Sequence, residues 1–246
     1  QYDDLEEPFF ADPRLPGNQD GAGNPVGTGI YVTQRDISFN VSQSLAYNNV
    51  FSNVHQVSGL VGAELKRSKE VFSNQEGEQF PNELFRTLSS AATPTDVSTS
   101  STQFRQQSLF GNASYTYDNT YKVGGTLRYD GSSRFGADEQ YGVFWTVSGY
   151  WRLSNEAFLE DADFLSNLKL RASYGVTGNS QIGNFQSLQQ FSGAGEYAGL
   201  PGIRPTNIGN PNLTWEEKES VNIGLDYGLF GGRIQGAVDV WRDNRK

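Results

Sequence analysis

The sequence predicts an all-β fold, an antiparallel transmembrane β-barrel wall, on three observations. Apolar residues recur at every second position in segment after segment, aromatic residues gather near the segment ends, and the connections alternate between tight turns and long polar loops. Residues 121–130 show the pattern most clearly, with Tyr121, Val123, Gly125, Leu127 and Tyr129 on one face and Lys122, Gly124, Thr126, Arg128 and Asp130 on the other. Successive side chains of a strand point to opposite sides, so this run has one apolar side and one wet side. When many strands share the apolar stripe and carry aromatics at their ends, the solvent that suits the stripe is lipid.

About eight such strands follow one another along the chain. Residues 1–35 are rich in Gly, Pro and Asp and read as a long loop. The first strand sets Ile37, Phe39, Val41, Leu45, Tyr47 and Phe51 on one face, which the neutral amide of Gln43 breaks. A turn at Ser52-Asn53 leads to a second strand with Val57, Gly59, Val61, Ala63 and Leu65, and 73–103 reads as a Ser/Thr/Asn-rich loop. The third strand presents Leu109, Gly111, Ala113, Tyr115 and Tyr117, and Asp118-Asn119 turns it into the Tyr121 strand. After a loop over 131–141, the fifth strand opposes Val143, Trp145, Val147, Trp151 and Leu153 to Phe144, Thr146, Ser148, Tyr150 and Arg152. Ser154 is placed to cap a short helix through Ala157, Phe158 and Leu159. The sixth strand shows Leu168, Leu170, Ala172 and Tyr174 outward, and a long loop covers 178–216. Val221, Ile223, Leu225 and Tyr227 mark the seventh strand, a Gly-rich turn spans 228–232, and Ile234, Val238 and Val240 mark the eighth.

Barrels of this kind keep short turns in the periplasm and long loops outside the cell. That rule assigns the loops around 1–35, 73–103, 131–141 and 178–216 to the outside. Tyr47, Phe51, Tyr115, Tyr117, Tyr121, Trp151 and Tyr227 then gather at the periplasmic rim, and Tyr129, Trp145 and Tyr174 at the outer one. A soluble sandwich shares the alternation but accounts less well for two aromatic rims.

Composition excludes several classes. No run of about 18 apolar residues is present, which rules out a transmembrane helix. The mean hydropathy of −0.56 suits a barrel, in which only alternate strand residues meet lipid. Without cysteine there is no disulfide, thiolate metal site or cysteine nucleophile. A net charge of −9 argues against a nucleic-acid partner. The single His55 falls on the apolar face beside a turn, where an interfacial role outweighs metal ligation or base catalysis. The acid pairs Asp161/Asp163 and Glu216/Glu217 lie in connections without a convergent partner, and the acidic residues 3–7 lack the spacing of a calcium loop. No enzyme and no cofactor is expected. The absence of Met and of a signal peptide leads to the expectation of an internal piece of a longer protein.

Residues 127–136 (LRYDGSSRFG), 148–154 (SGYWRLS), 165–179 (LSNLKLRASYGVTGN), 210–216 (NPNLTWE) and 238–244 (VDVWRDN) resemble the barrel of SusC/RagA-type TonB-dependent transporters of Bacteroidetes. The resemblance covers roughly 104–246, and departs from the family where Trp145 and Tyr150 stand in place of frequent Pro and Gly. It implies a barrel of about 22 strands with a plugged lumen, of which this chain forms about a third. It further implies an outer-membrane location and TonB-dependent import of a large nutrient, an oligosaccharide or peptide. A SusD-like surface lipoprotein would lid the mouth, and the TonB complex would act through an amino-terminal part that this chain lacks. A siderophore receptor, a passive porin, a non-transporting surface or assembly barrel, and a small closed eight-stranded barrel are the alternatives.

Candidate cargo contacts lie on the wet face. Phe110, Phe144, Tyr150 and Trp241 offer stacking surfaces, and Arg128, Arg152, Lys169 and Arg171 offer hydrogen bonds or charge selectivity. The same residues would equally serve to hold a plug. Phe185, Phe191, Tyr197 and Trp215 in the outer loops are further aromatic candidates.

Overall fold

Two-residue alternation makes a strand amphipathic only if the strand is paired, because unpaired N–H and C=O groups are intolerable in lipid. The computed structural model, which describes residues 2–10, 27–81 and 84–246 (backbone only for 2–10, 194, 195 and 197), pairs them throughout. The strands are β1 (Tyr2–Phe10), β2 (Thr28–Phe51), β3 (His55–Glu78), β4 (Thr93–Tyr117), β5 (Tyr121–Ser132), β6 (Tyr141–Arg152), β7 (Leu165–Asn179), β8 (Gln190–Tyr197), β9 (Leu200–Asn207), β10 (Glu216–Leu229) and β11 (Ile234–Arg245). Among the described residues nine form one sheet in the order β1-β2-β3-β4-β5-β6-β7-β10-β11, while β8 and β9 form a separate hairpin. The order is linear rather than closed. The pairings given for this sheet are antiparallel, as expected of a meander.

The expected turns have a common backbone signature. Ser52 and Asn53 have φ of 50° and 59°, and Asp118 and Asn119 have φ of 48° and 52°. Two consecutive left-handed residues are what a two-residue hairpin needs to match strand twist, and Asn and Asp tolerate that region. At the β10–β11 turn Phe230, Gly231 and Gly232 are all left-handed.

The chain forms two units. The first comprises 1–40 and 66–104. Here β1 pairs with β2 from Tyr2↔Ile37 to Phe10↔Gly29. Phe80, 1% exposed, fills the space that a side chain at Gly29 would take, with Leu88 beside it. Gln79, at φ 62°, accepts a hydrogen bond from the Thr93 hydroxyl at 2.9 Å. Of the stretches expected as loops over 1–35 and 73–103, residues 2–10, 28–35, 73–78 and 93–103 are therefore strand, while 1 and 11–26 lie outside the described residues. Their Ser, Thr and charged residues are polar on both faces, which erases the period-two stripe without preventing pairing.

The second unit comprises 41–65 and 105–246. Its connection between β5 and β6 is a loop as expected, and the segment between β7 and β10 carries the β8–β9 hairpin. In place of the expected short helix there are two 3-10 turns, Leu153–Asn155 and Ala157–Leu159. Ser154 lies inside the first of them and caps nothing, since neither turn has a side-chain cap.

Candidate functional site

Register decides which side chains share a surface. Across β4, β5 and β6 the apolar face aligns Gly111 with Leu127 and Trp145, and Leu109 with Tyr129 and Val143. These side chains are exposed on that face, Leu127 to 57% and Val143 to 54%. An apolar surface on this scale is not sustained in water. The aromatics close both of its ends. At the short-turn end His55 stacks on Tyr115 with centroids 6.0 Å apart, Tyr117 stacks on Tyr121 at 6.4 Å, and Tyr121 on Trp151 at 6.3 Å. His55 Nδ1 also hydrogen-bonds the Tyr115 hydroxyl at 2.7 Å, so the histidine completes an aromatic belt. At the other end Tyr129 stacks on Tyr141 at 5.1 Å and Trp145 meets Tyr174 edge-on at 5.4 Å.

The belt is tied to the adjoining turn by Glu156. Its Oε1 accepts from the Tyr121 hydroxyl and, at 2.8 Å, from Trp151 Nε1. These two hydrogen bonds, that of Tyr121 first, hold the Glu156 carboxyl below its usual value, because both stabilise the charged form.

The opposite face is polar, and every candidate predicted on it lies there. Phe110, Arg128 and Phe144 stand in one cross-strand row. Arg128 forms a two-point bond to Asp130, 3.1 Å from Nε and 3.0 Å from Nη2, and lies 5.3 Å from the centre of the Phe110 ring. Phe144 departs from its expected role. It is 6% exposed, in a cluster with Phe135 and Trp215 to which Val176, Ile182 and Leu213 add. Its ring lies over Gly142 and Gly178, where any Cβ would overlap it. With its faces covered, Phe144 has no free surface for a ligand.

That cluster joins two connections to the wall. Phe135 and Trp215 have ring centroids 4.6 Å apart, and Trp215 Nε1 donates to the Gln140 carbonyl at 3.2 Å. Gly136 donates its N–H to the Leu213 carbonyl at 2.8 Å and lies so close to the Pro211 backbone that a Cβ would collide with it. Arg134 reaches across to Asn184 at 2.7 Å and to the Ser180 carbonyl at 2.9 Å. The RFG of 134–136 and the NPNLTW of 210–215 are thus two halves of one packed unit. Trp215, an outer-loop aromatic named as a further candidate for cargo contact, lies in its core at 7% exposure.

Toward the short turns the polar face is charged. Lys122, Tyr150, Arg171, Gly224 and Asp239 form one row, and Arg152, Lys169 and Asp226 form the next. Asp226 bonds Lys169 at 2.7 Å and Arg171 at 3.0 Å, and Asp239 bonds Arg171 at 2.7 Å. Gly224 makes this possible, since a Cβ there would occupy the space of the Arg171 guanidinium. Tyr150 has Lys169 5.6 Å and Arg152 6.0 Å from its ring centre. Arg152 Nε and Asp239 Oδ1 are shielded from water and have no hydrogen-bond partner among the described residues. Trp241, paired with Asn222, is 67% exposed. Of the loop aromatics, Phe191 is exposed and Phe185 is half-buried at φ 62°, while the Tyr197 side chain lies outside the described residues. Lys122, Asp226 and Asp239 were missed as site residues. The cue for them was face parity, since each shares the strand face of a predicted candidate.

An apolar outer face bounded by two aromatic belts, backed by a polar inner face to which loops are clamped, defines a wall segment of an outer-membrane β-barrel. Comparison narrows this: the family model described as TonB dependent receptor-like, beta-barrel matches residues 7–246, and the chain belongs to that family of outer-membrane proteins. The chain is 34% identical over 195 residues to TonB-dependent receptor P39 of Formosa agariphila, covering 78% of this chain and 19% of the relative. It is 41% identical over 92 residues to TonB-dependent receptor SusC of Bacteroides thetaiotaomicron, covering 34% of this chain and 9% of that protein. A solved structure of the RagAB peptide importer in its closed-closed state superposes with a TM-score of 0.89 at 25% identity, over 98% of this chain and 27% of that one. The chain therefore spans about a quarter or less of the length of these relatives. The expected SusC/RagA-type resemblance and the barrel architecture hold.

Proposed function

We propose that this chain is part of the wall of a TonB-dependent importer that takes up a large nutrient, an oligosaccharide or a peptide, with a SusD-like lipoprotein lidding its outer mouth. The observation that carries this reading is the superposition of nearly the whole chain on the RagAB peptide importer, joined to family membership over 7–246. Energy would come from the TonB complex through a plug and contact segment contributed by sequence outside this chain.

In this reading the connections over 131–141 and 178–216 face outward, as do the ends of β1–β4 expected there as loops. The Phe135–Trp215 cluster holds the first two connections to the wall, giving a mouth of fixed shape for a lid to close on. Trp241 and Phe191 offer free aromatic surface, while Arg128 and Arg171 are already oriented by carboxylates. Tyr150 is flanked by cations. The test is extraction of the native particle in detergent, followed by the mass of each subunit. A subunit of about 100 kDa, as about 22 strands with a plug require, accompanied by a lipoprotein, supports the importer. A lone subunit of 27.1 kDa contradicts it. Uptake measured with Tyr150→Ala and Trp241→Ala then asks whether those two rings touch cargo, and unchanged transport removes them.

A further inference from the structure

The polar face carries a cavity across β5, β6, β7 and β10. It has a volume of about 330 Å³ and is lined by Lys122, Ser148, Tyr150, Lys169, Arg171, Ser173 and Asn222, with the backbone of Gly149 and Ala172. Three of these side chains are cations and three are neutral hydrogen-bonding groups of the Ser/Asn type, yet no carboxylate lines it. That is unexpected in a chain whose net charge is −9.

The two carboxylates nearby stand to one side and fix the cations rather than fill the cavity. Asp226 holds Lys169 and the Nε of Arg171, and Asp239 holds Arg171 Nη2. The guanidinium is thereby aimed, and its remaining N–H groups are free to donate. Lys122 lies two strands over in the same row, and has neither ion pair nor hydrogen bond among the described residues. Ser148 and Ser173 face each other across β6 and β7, and Asn222 follows in the same row. Beside the cavity, Arg152 Nε is shielded from water and has no acceptor among the described residues. Among the described residues the carboxylates paired with these four cations are Asp226 and Asp239, two against Lys122, Arg152, Lys169 and Arg171.

We propose that Lys122, Lys169 and Arg171, with Ser148, Ser173 and Asn222, form a carboxylate-binding site. A carboxylate accepts from up to four donors and suits both an ammonium and an oriented guanidinium. Its source is either an acidic cargo or an Asp or Glu of the plug. The inference deepens the import reading and rests on it.

The test uses the full protein extracted from native outer membranes, with an oligoglutamate peptide and its oligoglutamine counterpart as probes. For a cargo carboxylate, oligoglutamate binds and oligoglutamine does not. Lys122→Gln then weakens binding about tenfold, the loss of one charge-assisted bond, and Lys122→Arg restores it. For a plug carboxylate, Lys122→Gln leaves peptide binding unchanged, lowers the thermal midpoint and opens ion conductance in a planar bilayer, and Lys122→Arg reverses both. If Lys122→Gln alters neither peptide binding nor midpoint and conductance, the proposal is overturned. Binding requires no TonB energy, so intact binding with absent uptake would count against the import reading alone.

Discussion

Phe135 and Trp215 stack with their ring centroids 4.6 Å apart, although one lies just after β5 and the other just before β10. The contact fastens two long connections to the polar face through Phe144, one of the rings expected to touch cargo or plug. Stacking rings do the same work at the other end of the strands, where Glu156 ties them to a turn. Both ends of this wall are thus organised by aromatic clusters rather than by a conventional core.

Trp215→Ala removes the centre of the clamp. Truncating a buried Trp costs roughly 3–5 kcal/mol, the transfer of the ring plus the cavity left behind. The expected outcome is faster proteolytic cutting within 178–216, with the strands still protected. Cutting at the parental rate in that segment would show that the cluster does not hold it.

Opposite faces of β5 should respond oppositely to charge. Leu127→Arg places a cation on the apolar face and is expected to cost about 2–4 kcal/mol near the bilayer midplane. Thr126→Arg, one residue away on the polar face, is expected to cost little. Heat-modifiable migration of the folded barrel on gels checks both, and equal loss of the folded form in the two variants would refute the facial assignment.

Acid should loosen the Glu156 tie. Its carboxyl titrates below the usual 4.5 in the folded protein, through the hydrogen bonds from Tyr121 and then Trp151. A depressed folded value means that the contribution is complete above the unfolded value and is lost as the pH falls through the folded one. Glu156→Gln should therefore lower the thermal midpoint at neutral pH, and the difference from the parent should close well below pH 4.5. A difference that persists unchanged in acid would show that the charge is not what matters.

Much of this wall was legible because lipid imposes a strict rule. From Tyr121 to Tyr129 every second residue is apolar or Gly, the same stripe runs from Ile37 to Phe51 apart from the neutral amides Gln43 and Asn49, and Ser52-Asn53 and Asp118-Asn119 mark where the chain can reverse. The same reading failed at residues 93–104, where Thr and Ser occupy both faces and β4 continues regardless. It failed again at Phe144 and Trp215, since parity gives a side chain's face but not what a distant loop lays over it. The ion pairs of Arg171 were hidden for a related reason. They depend on Gly224 leaving space between two strands, a relation between registers that one strand's sequence does not contain.

As an outer-membrane barrel wall, this chain has lipid on one face of its sheet strands and the barrel interior on the other. Single Cys residues introduced along 121–130, which has no cysteine of its own, can carry spin labels once any cysteine elsewhere in the full protein has been replaced by Ser. In reconstituted full protein, accessibility to oxygen should peak at 123, 125, 127 and 129, and accessibility to a water-soluble nickel chelate should fall at the same positions. Oxygen peaks at 122, 124, 126 and 128, or no alternation at all, would contradict the account.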